Sequence, residues 1–227
     1  MWAIYKKELK SYFLSPIGYI TIGVLLVVFS VFFYQTVVQI GAYDMGNLYF
    51  NSARYGLLII VPLVTMRMFP EERRNGTEQL LLTSPKSITQ IVLGKYLAAI
   101  TLIAVNILSS LIYFVILSFF TEPHLMPTLI AMLGFFLLSM ASVGIGMFIA
   151  SLTENQIIAA VTTLVFFVAA WFIPNINESL SFIDIMTNYY KFPAGLVAIS
   201  ELTNLIGLII MFVLFTIIIM QRRKSIK

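Results

Sequence analysis

Apolar residues run along the chain in six long stretches that are separated by short polar connections. A helix needs about 20 mostly apolar residues to cross the hydrocarbon core of a bilayer, and each stretch is long enough. The pattern therefore predicts an all-α fold, a polytopic membrane protein with six transmembrane helices in a single domain over residues 1–227. The predicted spans are residues 17–38, 48–69, 94–120, 127–152, 155–173 and 203–220.

Composition narrows the class of protein. The chain is 60% hydrophobic and only 11% charged, whereas a soluble domain is charged at about a quarter of its positions. A soluble enzyme and a disordered chain are both excluded. Because cysteine is absent and His124 is the only histidine, we predict no catalytic residue, no cofactor-binding residue and no metal site in this chain.

The basic residues indicate the orientation in the membrane. With six spans both termini lie on one side, and that side holds all of the 14 lysines and arginines except Arg54 and Lys191. Cytoplasmic loops carry the excess of basic residues in membrane proteins, so both termini are predicted to be cytoplasmic. Topology and contact with anionic lipid account for the net charge of +4, and no nucleic-acid partner is needed to explain it.

Residues 1–15 have the pattern of an amphipathic helix at the membrane interface. At about 100° per residue, one face is apolar and the neighbouring face carries lysines, while Ile4 falls off the apolar face. The helix is either a plain interfacial anchor or an elbow that steers the first span. The residues assigned to this membrane-interface helix are Trp2, Tyr5, Lys6, Lys10, Tyr12 and Phe13.

The connection between the second and third spans, residues 70–90, is the most unusual segment. Charged residues next to the membrane are followed by a turn at Asn75–Gly76 and a short helix that Thr77 is predicted to cap. Pro85 ends this helix, and the Ser87–Gln90 spacing is that of a capping box for the next one. A solvated loop would explain the charges, but the leucines beside them favour a docking helix for a soluble partner.

Polar residues inside the spans are candidates for function because they are costly in hydrocarbon. Arg54, near the outer end of the second span, either snorkels to the interface or marks a site. Asn106 in the third span either marks a site or forms a hydrogen bond to a neighbouring helix. Pro62 is predicted to kink the second span. The apolar outer loop, residues 174–202, is predicted to be interfacial or re-entrant.

Three stretches resemble type 2 ATP-binding-cassette (ABC-2) transporter permeases. The most specific is the run VPLVTMRMFPEERRNGTEQLLLTSPKSITQIVLGKY, which is similar to the cytoplasmic loop of that family. The opening YKKELKSYFLSPIGYI resembles in particular the branch of gliding-motility-associated permeases, and Asn188–Leu202 resembles the segment before the last span. Together the three stretches extend the resemblance over the whole chain.

The resemblance implies the membrane subunit of an ATP-driven exporter, with ATP and Mg²⁺ bound by a separate ATPase chain. The only Gly-Lys pair, Gly94–Lys95, lacks the first glycine and the hydroxyl residue of a phosphate-binding loop. The family's coupling helix, which contacts the ATPase, corresponds here to Glu71, Glu72, Arg73, Arg74, Gly76, Thr77, Glu78, Leu80, Leu81 and Leu82. A weaker second contact corresponds to Glu154 and Asn155.

The resemblance also implies a location and further partners. We expect a prokaryotic cytoplasmic membrane and a second permease subunit, which makes either a homodimer or a heterodimer. An auxiliary protein of the cell envelope is a further candidate partner, and membrane lipid is a certain one. The residues do not identify the substrate, because no binding cavity can be assembled from one sequence.

Two other functions stay open at this point. One is a non-transporting ABC membrane subunit that transmits ATPase motion to partners in the cell envelope. The other is a secondary transporter, although every acidic residue lies in or beside a loop, where it is poorly placed to couple ion movement. An intramembrane protease is disfavoured, because a glutamate-dependent protease has the signature E-E-x-x-x-R and Gly76 stands at its arginine position. The only histidine, His124, lies on the opposite side.

Overall fold

The computed structural model describes residues 1–41, 43–84, 86–176 and 184–226, and every regular element in these ranges is helical. A π-helical stretch, Tyr34–Gln39, extends α2, and two 3₁₀ turns, Ile185–Asn188 and Phe192–Ala194, precede α10. The α-helices are α1 (Trp2–Leu14), α2 (Pro16–Phe33), α3 (Met45–Thr65), α4 (Pro70–Arg74), α5 (Glu78–Leu82), α6 (Ile88–Ser109), α7 (Leu111–Ser118), α8 (Leu125–Leu152), α9 (Gln156–Ile176) and α10 (Ile199–Ile226).

Five helical stretches of the described chain are long and apolar enough to cross a membrane. They correspond to the first four predicted spans and the last one, which confirms a membrane protein built of apolar helices. The fifth predicted span corresponds to α9, whose apolar part within the described side chains is the shorter Gln156–Phe172, so that span stays a prediction. The five stretches are Pro16–Gln39, Met45–Arg74, Ile88–Ser118, Leu125–Leu152 and Ile199–Lys224.

Helix α8 lies at the centre of the bundle, where it packs against α3, α6, α9 and α10. Its glycines permit very close contacts. A Cβ atom at Gly146 would lie 2.8 Å from the side chain of Thr65 on α3, and one at Gly134 would lie 2.3 Å from Cγ of Phe192. Small residues of this kind let membrane helices gain packing energy that lipid cannot supply.

Burial separates the central helices from the outer ones. In their most apolar stretches, 61% of the residues of α3–α4 and of α8 are buried inside the protein, against 22% for α2 and for α10. The side chains that α2 and α10 turn outward are apolar, as at Val27 and Ile218. An apolar outer surface of this extent is stable in lipid and unstable in water.

Two features add to the predicted pattern. Helix α3 continues through Pro62, so the kink predicted there stays a prediction, and the helix breaks at residues 66–69. Helix α10 begins at Ile199 instead of residue 203, which shortens the outer loop. In the described part of that loop, Tyr189 is buried and its hydroxyl donates to the carbonyl of Ala131 on α8 at 3.1 Å.

Candidate functional site

The connection from α3 to α6 folds into two short helices, α4 and α5. Between them Gly76 has a φ of +69°, a left-handed conformation that favours glycine. This geometry confirms the turn predicted at Asn75–Gly76. Pro85, which was predicted to end the second short helix, lies outside the described residues, and α5 ends at Leu82.

The helix caps of this connection are only partly as predicted. Thr77 has helical backbone angles and gives α5 no side-chain cap, so the prediction of a cap there is wrong. An N-cap residue needs an extended backbone, so that its side chain can accept from an amide of the first turn. The Thr77 hydroxyl instead donates to the Glu72 carbonyl at 3.3 Å. The Ser87 hydroxyl accepts from the Gln90 amide at 3.3 Å, which confirms the predicted cap of α6.

Four charged residues from three helices form a network beneath this connection. The Lys95 ammonium on α6 is only 1% exposed and lies 3.0 Å from Glu72 Oε1 on α4 and 3.1 Å from Glu8 Oε1 on α1. Lys7 Nζ lies 3.2 Å from the same Glu72 oxygen. A buried ammonium needs such acceptors because its desolvation is expensive. The network therefore ties α1, α4 and α6 together.

The charge on Lys7 shows the balance of forces in this network. Burial lowers the pKa of Lys7, but the attraction and hydrogen bonds of Glu72 and Glu8 raise that pKa by more, so the net shift is upward from 10.5. The two carboxylates thus hold Lys7 in its charged form. Two cations and two carboxylates alternate in the network, and the group is neutral as a whole.

A second set of bonds joins the end of α3 to the end of α1. The guanidinium of Arg67 forms two bonds of 2.7 Å with the carboxylate of Glu71, one turn further along the chain. The same guanidinium donates to the Ser15 hydroxyl at 3.1 Å. A two-pronged arginine–carboxylate pair fixes orientation as well as distance.

Arg73 joins α4 to the carboxyl-terminal end of the central helix α8. Its side chain is 4% exposed, and its Nε lies 2.8 Å from Glu78 Oε1. Its other nitrogens donate to the carbonyls of Ser151 at 2.9 Å and Ala150 at 3.5 Å, and also to the carbonyl of Thr153. The last carbonyls of a helix have no partner within it, and a cation there is favoured by the helix dipole.

The residues predicted to contact an ATPase therefore divide into two groups. Those whose side chains point inward and bind other parts of the chain are Glu71, Glu72, Arg73 and Glu78. Those that are exposed are Arg74, Gly76, Thr77 and Leu80. Leu80 is 73% exposed. The side chains of Leu81 and Leu82 lie outside the described part.

The predicted second contact lies next to the first. Glu154 and Asn155 are exposed, and the Asn155 side chain accepts from the Ile157 amide at 2.8 Å at the start of α9. A shallow depression is lined by Arg73, Arg74, Glu154, Asn155, Gln156 and Ile157. The structure thus brings two segments about 80 residues apart in sequence onto one surface, termed here the loop surface: the exposed residues of 74–80 together with this depression.

Helix α1 packs against protein on more of its surface than the sequence predicted. Ile4, predicted to lie off the apolar face, is the residue closest to Gly94 of α6, at 3.1 Å from a Cβ atom built there. Trp2 is exposed and stacks on Tyr5 at 5.0 Å between ring centroids. Ile4, although off the apolar face of the helical wheel, thus contacts α6, because the missing side chain of Gly94 leaves room for it.

The remaining residues assigned to the membrane-interface helix lie on both of its sides. Tyr12 is buried and its hydroxyl donates to the Val64 carbonyl at 3.3 Å, and burial raises its pKa above the usual 10.0. Phe13 is partly buried against the core, whereas Lys6 and Lys10 are exposed. The helix therefore presents lysines outward and binds α3 and α6 with its other side.

Asn106 is fully buried between two helices. Its amide nitrogen donates to the Leu102 carbonyl at 3.1 Å and to the Thr21 hydroxyl of α2 at 3.4 Å. Its Oδ1 atom has no hydrogen-bond partner in the described part of the protein. This geometry is that of a contact between helices, which was one of the two interpretations of Asn106.

Arg54 lies in a pocket between α3, α8 and α9. Its guanidinium carbon is 4.8 Å from the centre of the Trp171 ring, and its Nε atom is buried without a hydrogen-bond partner among the described residues. Asp184 lies on the pocket wall. Burial raises the pKa of Asp184, against the opposing effects of the Met186 amide and the Arg54 charge.

Residues 2–224 match the model of the ABC-2 family transporter proteins. The chain belongs to the ABC-2 transporter family. No curated protein matches this chain.

Family membership gives the ABC-2 protein a general role. Proteins of this kind are membrane subunits of ABC transporters that normally lack an ATPase motif and work with an ABC ATPase subunit. The family model covers the same three stretches on which the resemblance rested, and thereby confirms it at the level of the family. The gliding-motility branch is not reached by this match and stays a prediction.

Several residues of the ABC-2 protein's charged network were not anticipated. Lys95 lies at the edge of the third predicted span, and Glu8 is the only acidic residue of α1. Neither position by itself indicates a buried ion pair. Arg67 and Glu71 have the four-residue spacing of a helical ion pair, which was a usable signal. Trp171 and Asp184 carry no sequence signal, because only the fold brings them to Arg54.

Proposed function

We propose that this chain is the permease subunit of an ATP-driven exporter, and that its loop surface receives the motion of a separate ABC ATPase. The observation that carries the proposal is the division of residues 70–80 into two groups. The inward group binds α1, α6 and the end of α8, while the outward group presents Arg74 at the end of α4 and Leu80 on α5, on either side of the Gly76 turn. A displacement of the exposed residues of this segment would therefore be passed to the helices that its buried residues bind.

The buried ion pairs would transmit a displacement of the loop surface to the membrane-spanning helices. Displacement of the Gly76 turn moves α4, and α4 carries Glu72 and Arg73 with it. Glu72 is bound to Lys95 on α6, and Arg73 is bound to the carbonyls at the end of α8. Breaking a buried ion pair by removing its partner costs about 3–5 kcal/mol. Moving the attached helices as rigid bodies is therefore the easier response, and spans two, three and four would tilt together.

The proposal includes an arrangement in the membrane. Helix α9 is the fifth of six spans, both termini face the cytoplasm of a prokaryotic cell, and α1 is an elbow helix at the inner interface. ATP and Mg²⁺ bind to the ATPase, and a second permease subunit completes the transporter. Support comes from the charges: the end of the bundle with the loop surface carries Lys10, Lys86 and Lys224 as exposed cations, as expected of a cytoplasmic side.

Site-specific photocrosslinking tests the loop surface. A photoreactive amino acid is introduced at Leu80, at Glu154 and, as a matched control, at Tyr190, which is 72% exposed at the other end of the bundle. The chain is expressed with the ABC ATPase encoded nearest to it. We expect crosslinks to the ATPase from Leu80 and Glu154 and none from Tyr190.

Substitution of the same surface provides an independent measurement. Leu80→Asp should lower co-purification of the ATPase at least tenfold without lowering the thermal stability of the permease, because Leu80 makes little contact within the chain. Tyr190→Asp serves as the control. Unchanged co-purification with Leu80→Asp, or crosslinks from Tyr190 alone, would remove the loop surface as the ATPase contact.

A further inference from the structure

A groove runs along α10 in the half of that helix that lies away from the loop surface. The other end of α10 is held beside the loop surface, because Arg223 donates to the Leu152 carbonyl at 3.5 Å and lies 3.7 Å from Glu154. The groove lies instead beside residues 203–211, near the start of the helix at Ile199. This α10 groove has a volume of about 480 Å³ and is open on one side. Ligand sites commonly have volumes of about 300–1,000 Å³.

The lining of the α10 groove changes from polar to apolar along the helix. Four residues with hydroxyl or amide side chains line the end near the start of α10. Three residues without a polar side chain line the deeper end, about 10 Å further along at 1.5 Å per residue. The polar and hydrocarbon layers of a membrane follow each other in the same order from its surface inward. The lining residues are Thr187, Asn188, Thr203 and Asn204 at the polar end and Gly207, Leu208 and Met211 at the apolar end.

Gly207 leaves the apolar end of the groove empty. A Cβ atom built at Gly207 would have no neighbouring atom within 4 Å. In contrast, the space beside Gly134 and Gly146 in the centre of the bundle is filled by side chains of other elements, at 2.3 and 2.8 Å from such an atom. The space at Gly207 is thus not used for packing within the described chain. A hydrocarbon chain fits there, because a polar group would lose its hydrogen bonds.

Two asparagines at the polar end retain unused hydrogen-bonding groups. The Asn204 amide nitrogen donates to Asn188 Oδ1 at 3.1 Å. Asn204 Oδ1 and the Asn188 amide nitrogen have no hydrogen-bond partner within the described ranges. Asn188 is only 8% exposed and lines the groove, so its nitrogen is best reached from there. Because a buried donor without a partner is costly, the site favours an occupant that supplies an acceptor.

The free groups of the two asparagines select the chemistry of the occupant. None of the described lining residues is charged, and the nearby Lys191 and Glu201 pair with each other at 3.0 Å. One free acceptor and one free donor match a hydroxyl group, which both donates and accepts. An ionised phosphate has no donor for Asn204 Oδ1, and a quaternary ammonium has neither a donor nor an acceptor.

We propose that the α10 groove binds an amphiphile with an uncharged, hydroxylated head group, such as an alkyl glycoside. Its hydroxyls bind Asn188 and Asn204, and its hydrocarbon chain lies along Gly207 and Met211. The amphiphile enters from the membrane leaflet farther from the loop surface, because the polar end of the groove is on that side. Binding at equilibrium does not depend on the ATPase contact or on the direction of transport, so its failure would leave the proposed function intact.

Photolabelling locates the hydrocarbon chain of such an amphiphile. The full chain is placed in phosphatidylcholine nanodiscs with an octyl glucoside that carries a diazirine on its octyl chain, at concentrations that leave the nanodiscs intact. Labelled residues are mapped by mass spectrometry, and we expect saturable labelling of residues 204–211. Unlabelled octyl glucoside should compete at least tenfold better than octyl phosphate or octyltrimethylammonium. Equal competition by all three would overturn the proposal, because a lipid-facing surface alone would then explain the labelling.

Substitutions test the two ends of the groove separately. Gly207→Phe fills the apolar end and should lower the labelling at least tenfold. Gly23→Phe on α2 is the matched control, because a Cβ atom there also has no neighbour within 4 Å, and it should change the labelling less than twofold. Asn204→Leu should abolish the preference for octyl glucoside over octyl phosphate, whereas Asn47→Leu, at an exposed position of α3, should preserve it. Equal labelling of the two phenylalanine variants would place the chain elsewhere and contradict the proposal.

A second copy of the protein is the competing occupant of the groove. Because the chain has no cysteine, Gly207→Cys places a single thiol there. We expect this variant to form no disulfide-linked pairs in nanodiscs under mild oxidation. Rapid formation of such pairs would show that a helix of another copy fills the groove, and it would overturn the proposal.

Discussion

Two cations in this protein have opposite surroundings. Lys95, beneath the loop surface, touches the carboxylates of Glu8 and Glu72 at 3.1 and 3.0 Å. Arg54, in the other half of α3, touches an aromatic ring and no described oxygen. Lys95 is fully buried and its charge is compensated within the fold. Arg54 is only partly buried, and no described carboxylate binds it.

This contrast separates charges that hold the fold together from charges that do not. A charge whose partners all come from its own chain holds elements together, and its loss should destabilise the fold. A charge without such partners contributes little to folding, and its loss should change the stability little. The following substitutions test this distinction, beginning with the largest expected effect.

Lys95→Met should be the most destabilising change. It removes the shared cation and leaves Glu8 and Glu72 close together with only Lys7 between them, so the free energy of unfolding should fall by about 3–5 kcal/mol. Denaturant titration in detergent micelles measures this quantity. Lys224→Met, at an exposed position, is the control and should change it by less than about 0.5 kcal/mol. Equal stability of the two variants would contradict a structural role for Lys95.

Arg73→Lys should have an intermediate effect. Lysine keeps the charge, but its single ammonium cannot bind Glu78 and several carbonyls at the end of α8 together. We expect a loss of about 1–3 kcal/mol in the free energy of unfolding. Arg74→Lys, at the exposed neighbouring position, should leave this free energy unchanged. A tolerance of Arg73→Lys equal to that of Arg74→Lys would mean that the charge alone matters.

Arg54→Met should have a small effect of either sign. The substitution gives up a cation–π contact worth about 0.5–2 kcal/mol, but it also removes an unpaired and partly buried guanidinium. The net change in the free energy of unfolding, measured without added ligand, should stay within about 1 kcal/mol. A loss as large as that of Lys95→Met would show that Arg54 has a structural partner and that the comparison fails.

Asp184→Asn should have the smallest effect, because the partly exposed carboxylate is screened by solvent. Burial raises its pKa above 3.8 in the folded state. The folded protein therefore binds more protons than the unfolded one between 3.8, the pKa of Asp184 in the unfolded chain, and its higher pKa in the folded chain. The free energy of unfolding falls as the pH rises through this range. Thermal unfolding as a function of pH should show this slope in the parent chain and less of it in the variant. An unchanged slope would assign it to another group.

Much of the fold followed from the sequence because membrane helices form locally. An apolar stretch of about 20 residues satisfies its own backbone and needs no partner to be helical in lipid. The first four predicted spans and the last were found for this reason. The turn at Asn75–Gly76 and the cap at Ser87 were also predictable, since each depends on residues that are adjacent in the chain.

The site was predicted less completely because its contacts are distant in sequence. Glu72 was singled out as a contact for an ATPase, yet its carboxylate is bound by lysines from α1 and α6. Arg73 was assigned to the same contact, and its guanidinium is bound to the carbonyls at the end of α8. A charged residue in a loop looks the same in a sequence whether it faces solvent or another helix. Burial distinguishes the two cases, and burial is a property of the folded chain.

The location in a membrane, the helical segments and the family could all be read from the amino-acid sequence, because they depend on local composition and on residue patterns along the chain. Which charges are satisfied depends on the folded structure. Lys95 and Arg54 are single cations in apolar surroundings when read in the sequence. The fold gives one of them two carboxylates and the other none, because long-range packing alone determines which side chains meet.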